Sequence, residues 1–167
     1  VRSGNKSDSR NRTLATALIA DISDASRRAA SHLLERLAYR VATASAAEEA
    51  LALIAGTTPD LGLADARIET ANGGLLPAAI RKLAGGKDIC LFHVTADAGA
   101  ASIRRAMDAG ADDYLVKPYD EALLRFKLMQ ARARGRLDAG RPQLRVVQDN
   151  AATGATSWRF GLYGKAV

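Results

Sequence analysis

The chain has 167 residues, 48% hydrophobic and 25% charged, enough for one globular domain with a full core plus extra segments at its ends. No apolar run reaches the length of a membrane span, no signal-peptide pattern opens the sequence, and the single cysteine, Cys90, excludes an internal disulfide, so a cytoplasmic location with no membrane partner is the default expectation. The net charge of +6 is uneven: residues 1–12 carry +3, residues 125–167 carry +7 and the body between them carries −4, which leaves no nucleic-acid footprint on the body.

In chain order, residues 1–13 are polar and read as a flexible leader. An apolar strand starts at Thr16 and closes at Asp21, inside "LIADISD", and helical spacing follows over 26–38. A second strand spans 40–44, then Ser45 and Glu48 form a capping box ahead of a helix over 46–55 that Gly56 stops. The third strand, "LGLAD", ends at Asp65, and its internal Gly62 signals a bend or a close neighbour. A helix over 74–84 leads to a strand over 89–95, where Cys90 and His93 read as core. Asp97 caps a helix over 98–109 that stops at Gly110, a strand covers 113–117, and Asp120 caps a helix over 120–134. Leu33, Leu34, Leu37, Leu51, Ile54, Leu123 and Leu128 supply the apolar helix faces. Five strands alternating with five helices give an α/β fold, a parallel sheet with helices on both faces. Beyond Arg134, residues 135–157 read as a linker. Residues 158–167, "WRFGLYGKAV", read as a terminal strand, docked on the body or opening a truncated output domain, and the missing initial Met fits a piece of a longer product.

Open parallel sheets bind ligands at the carboxyl ends of their strands. Those ends carry Asp21, Asp65, Thr95 and Lys117: two acids, a hydroxyl and an ammonium on one rim. Each alone reads as a cap, a strand residue or a surface charge; together they suit phosphoryl acceptance on a carboxylate. Asp65, ending a central strand before a glycine-containing loop, is the best nucleophile, and a cis Lys117–Pro118 bond would aim the ammonium inward. Two distant histidines, His32 and His93, with one cysteine do not make a zinc site.

The stretches "LIADISDASRRAASHLLERLAYRVATASAAEEALALI", "PDLGLADARI", "HVTA" and "AGADDYLVKPYD" resemble the receiver domain of bacterial two-component response regulators over residues 14–134. The resemblance implies a flavodoxin-like, doubly wound five-stranded sheet in the order 2-1-3-4-5. It makes Asp65 the acceptor of a phosphoryl group from a histidine kinase or phosphotransfer protein, Lys117 the phosphate-contacting lysine, and Thr95 with Tyr114 the switch pair. It implies a signalling module rather than an enzyme, with output from the face of the fourth helix, fifth strand and fifth helix. On that face Arg104, Arg105, Asp112, Asp113, Arg125 and Lys127 resemble a homodimer interface. DNA would be reached only through an output domain outside this chain.

Two departures stand out. Receivers usually carry two adjacent acids after the first strand, and here Asp21 is followed by Ile22, so Mg2+ would rest on Asp21, Asp65 and the backbone carbonyl of Arg67 and is expected weak or absent. The Met-Pro of the following loop is replaced by Ile68 and Glu69. Arg67 either pairs with Asp65 and lowers its nucleophilicity, stands in for part of the metal's charge, or points to solvent. Two functions follow: a phosphorylated switch, or a degenerate receiver serving as a phosphorylation-independent interaction or dimerisation module. A nucleotide-binding enzyme is set aside because no glycine-rich phosphate loop follows the first strand.

Overall fold

The computed structural model describes residues 14–137. Strands and helices alternate throughout: β1 (Ala15–Ala20), α1 (Asp24–Arg36), β2 (Tyr39–Ala44), α2 (Ala47–Gly56), β3 (Leu61–Asp65), α3 (Leu76–Ile80), β4 (Cys90–Thr95), α4 (Ala100–Asp108), β5 (Asp113–Val116) and α5 (Glu121–Ala133). The five strands are parallel and lie in the order β2-β1-β3-β4-β5. The order reverses between β1 and β3, so a crevice opens at their carboxyl ends. Among the described residues no helix is long and apolar enough to cross a membrane.

Successive side chains of a strand point to opposite faces, and a parallel sheet covered on both sides buries both sets. Ala17, Ile19, Phe92 and Val94 meet Leu34 of α1 and Leu124 and Leu128 of α5 on one face. Leu18, Ala20 and Leu91 meet Ile54 of α2 and Leu76 and Ile80 of α3 on the other. Each large side chain so buried contributes about 2 kcal/mol. Gly62 sits where a close neighbour was expected: a Cβ there would lie 2.7 Å from Leu91 Cδ1 on the adjoining strand.

Several local expectations need correction. The helix expected over 74–84 shrinks to Leu76–Ile80, because the chain doubles back at Gly85 (φ 75) and Gly86, where a Cβ would meet the Ile80 carbonyl oxygen at 1.9 Å. Ser45 bonds Glu49 rather than Glu48, its amide and hydroxyl both donating to Oε2 at 2.8 and 3.1 Å, and Ala46 is the N-cap of α2. Asp97 accepts from the Gly99 amide (2.7 Å), one step before α4, whereas Asp120 caps α5 through the Leu123 amide (2.8 Å) as expected. Gly110 takes the left-handed conformation (φ 99), but Gly56 stays within α2, and the left-handed residue after α1 is Ala38 (φ 64). Leu123 is exposed, because α5 turns Leu124, Leu128 and Ala131 to the sheet at helical spacing.

The expected linker begins too early. Gly135, Arg136 and Leu137 belong to the folded body: Leu137 is buried in the core and Arg136 binds Asp112. The leader, the rest of the linker and the terminal strand lie outside the described residues.

Candidate functional site

The sheet delivers four of the singled-out residues to one rim. Asp21 follows β1, Asp65 ends β3, Thr95 ends β4 and Lys117 follows β5, joined to Pro118 by a cis peptide. Asp21 and Asp65 are only 4% and 3% exposed, so their charges must be answered by protein groups. The Lys117 ammonium lies between them, donating to Asp21 Oδ2 at 2.5 Å and also to Asp65 Oδ2.

Arg67 answers from the other side. Its backbone amide and Nε donate to Asp65 Oδ1 at 2.8 and 3.0 Å, and Nη2 reaches Asp65 Oδ2 and Asp21 Oδ1, both at 3.3 Å. The side chain is half-exposed, yet its Nε and Nη2 are turned onto the two carboxylates, so the solvent-pointing expectation does not hold. Burial alone would push the Asp65 carboxyl up; hydrogen bonds from the Arg67 guanidinium, the Lys117 ammonium and the Arg67 amide outweigh it and bring it down to about 2. The same pairing raises the Arg67 guanidinium. Asp21 Oδ1 is further held by the Ser23 amide (2.8 Å), and its carbonyl accepts from Arg27 Nη1 (2.7 Å).

Other singled-out residues are not drawn into this cluster. The Thr95 hydroxyl, though buried at the rim, accepts from the Asp97 amide (2.9 Å) rather than bonding either carboxylate. Tyr114 pairs in register with His93, and its ring lies under the Lys127 ammonium, 4.5 Å from the centroid. Half the expected dimer face is engaged internally: Asp113 is buried and binds Lys127 and Arg134, each at 2.7 Å, while Asp112 binds Arg81 at 2.7 Å and Arg136 at 2.6 Å. These partners lie on α5 or just past the ends of α3 and α5, far from the acids in sequence, so both acids read as surface charges. Arg125 pairs with Glu121 along α5 (2.8 Å), and Arg104 and Arg105 are exposed on α4.

One neighbour was missed and another proves more than core. Tyr119 packs half-buried beside the rim, its phenol pushed up to about 12 by burial and then by the charges of Asp21 and Asp65. An aromatic two residues past a strand-end lysine was the available signal. His93 was read as core and is buried, but its Nδ1 is without a hydrogen-bond partner, and burial lowers its imidazole.

A magnesium ion takes six oxygens at about 2.0–2.1 Å in near-octahedral array. Here all the oxygens of the two carboxylates already accept from Arg67 or Lys117, and Ile22, 49% exposed at the mouth, offers no donor. The residues present therefore do not fit a magnesium ion unless Arg67 is displaced.

Known proteins place this arrangement. The chain is 30% identical over 118 residues to the transcriptional regulatory protein AfsQ1 of Streptomyces coelicolor, a match covering 71% of this chain and 51% of that protein. Thus the chain spans about half the length, or less, of the curated relatives it matches. The chemotaxis protein CheY4 of Vibrio cholerae superposes with a TM-score of 0.65 at 26% identity, over 71% of this chain and 98% of that one. The receiver domain of sensor histidine kinase PA1611 from Pseudomonas aeruginosa shares the fold (TM-score 0.63, 22% identity, 71% and 97% covered), and it has a magnesium ion coordinated in its active site cleft. The family model for the response regulator receiver domain matches residues 17–129, from within β1 to within α5, and the chain belongs to that family.

Proposed function

We propose that the domain is a phosphorylated switch in which Asp65 takes a phosphoryl group from a histidine kinase or phosphotransfer protein. One observation carries the reading: a carboxylate 3% exposed, ending β3, is held by a lysine 52 residues away that also holds Asp21. A carboxylate oxygen of Asp65 forms the O–P bond as the donor's P–N bond breaks. The electron pair leaves on the imidazole nitrogen, which takes a proton from water. Lys117 then faces the phosphoryl oxygens, and the added charge, about −1.5 to −2, biases Thr95 and Tyr114 and the face of α4, β5 and α5. The module acts by switching rather than by turnover, works in the cytoplasm, and serves a transcription regulator whose DNA contacts lie in an output domain beyond these residues.

The test is the intact mass of the protein after incubation with acetyl phosphate, beside Asp65→Asn. A single phosphoryl adduct absent from the variant is expected; an adduct that persists in the variant, or none in a folded protein with a kinase also tried, sinks the proposal. Light scattering on the same samples addresses self-association through the exposed Arg104, Arg105, Met107 and Phe126, and an unchanged molar mass with and without adduct counts against it.

A further inference from the structure

We propose that the Arg67 guanidinium is a built-in replacement for the divalent cation, so that Asp65 accepts a phosphoryl group with no metal ion in the site. The claim rests on Asp65 being the acceptor and concerns what supplies the positive charge there.

Position comes first. Arg67 Nη2 places a positive charge between the two carboxylates, touching Asp65 Oδ2 and Asp21 Oδ1 at 3.3 Å each, while Nε and the backbone amide hold Asp65 Oδ1. Lys117 bridges the same pair through Asp21 Oδ2 and Asp65 Oδ2. Charge comes second. Two buried carboxylates against one guanidinium and one ammonium sum to neutrality, so an added dication would leave an uncompensated double charge beside groups 4% and 3% exposed. Chemistry comes third. The residue after Asp21 is Ile22, which gives a metal nothing, whereas a planar guanidinium fork matches phosphoryl oxygens as well as carboxylate oxygens.

The transfer proceeds with this cation already in place. With an acyl phosphate donor, an Asp65 oxygen forms the O–P bond, the donor's P–O bond breaks, and the electron pair leaves with acetate. The half-exposed Arg67 fork follows the charge from the carboxylate oxygens to the phosphoryl oxygens. No redox partner is needed.

Two measurements test it on the full chain. In the first, 15N-labelled protein is titrated with MgCl2 to millimolar concentration while the amides of Asp21, Ser23, Asp65 and Arg67 are followed. They are expected to stay still in the native chain and to shift saturably in Arg67→Ala. Saturable shifts in the native chain overturn the inference, whatever phosphorylation does. In the second, adduct formation from acetyl phosphate is followed by intact mass in Mg2+ and in EDTA. Comparable adduct in both is expected, with Arg67→Ala losing about tenfold or more in EDTA and recovering in Mg2+. Arg67→Lys, which keeps the charge without the fork, is expected to fall between. An adduct that requires Mg2+ overturns the inference and leaves Asp65 as acceptor. No adduct under any condition overturns the acceptor reading itself, and the titration still judges what the guanidinium replaces.

Discussion

Asp113 shows how far a single residue's role was legible. Its side chain was read as part of an interface because an acid before a strand, near basic helices, gives no sign of which basic group it meets. In the fold it is 6% exposed and clamped by Lys127 and Arg134. Burial would push its carboxyl up, but the hydrogen bonds from Lys127, Arg134 and the Tyr114 amide prevail, so it lies below the ordinary 3.8. A carboxyl depressed in the folded state stabilises it above the unfolded value, and that contribution fades as pH falls through the folded value. Asp113→Asn is therefore expected to cost about 3 kcal/mol near neutral pH, by leaving two cations without their partner. Urea midpoints for the two proteins should converge below pH 3.8, and a gap constant with pH would refute the assignment. Asp21, Asp65 and Lys117 were legible because strand ends are written in the hydrophobic pattern. The direction of Arg67 was not, since a loop rotamer follows from the charges it finds after folding.

At the scale of elements, periodicity located the strands and helices of the described residues, and the errors fell where glycine or a one-residue offset decided the boundary. Apolar spacing continues past Ile80, yet α3 stops there because the chain returns at Gly86 against the Ile80 carbonyl. Gly86→Ala is thus expected to destabilise the domain by about 2 kcal/mol or more, because the obstacle is backbone and cannot swing aside. Gly56, the last residue of α2 with open space around its would-be Cβ, should respond oppositely: Gly56→Ala is expected to gain up to about 0.5 kcal/mol of helix propensity. Chemical denaturation of both variants checks the contrast, and equal losses would mean that the turn after α3 is looser than described. The shift from Leu123 to Leu124 has the same origin, since a one-residue offset rotates a helix by about 100° and exchanges its buried and exposed positions.

For the whole molecule, a parallel sheet covered on both faces followed from the alternation of elements and the order of its strands from the family resemblance, whereas the end of the body followed from neither. Composition turns polar after Arg134, but Arg136 donates to Asp112 and to the Lys87 and Ile89 carbonyls, and Leu137 joins the core beneath α5. A chain cut after Arg134 is expected to be less stable than one cut after Leu137 by about 2–3 kcal/mol, from one lost apolar burial and a partly buried acid, Asp112, left with one cation. Thermal unfolding of the two lengths measures it, and equal midpoints would return residues 135–137 to the linker. The attachment has a mechanical side. α5 begins four residues past Lys117 and, at 1.5 Å per residue, runs about 20 Å before Arg136 pins its far end to Asp112 and Ile89, just ahead of β5 and β4, at the pole opposite the carboxylates. Held to the sheet along its length by Leu124, Leu128 and Ala131 as well as at that end, α5 links the rim to the opposite pole as one packed element, so a push at the rim is carried across the domain rather than absorbed in a loop.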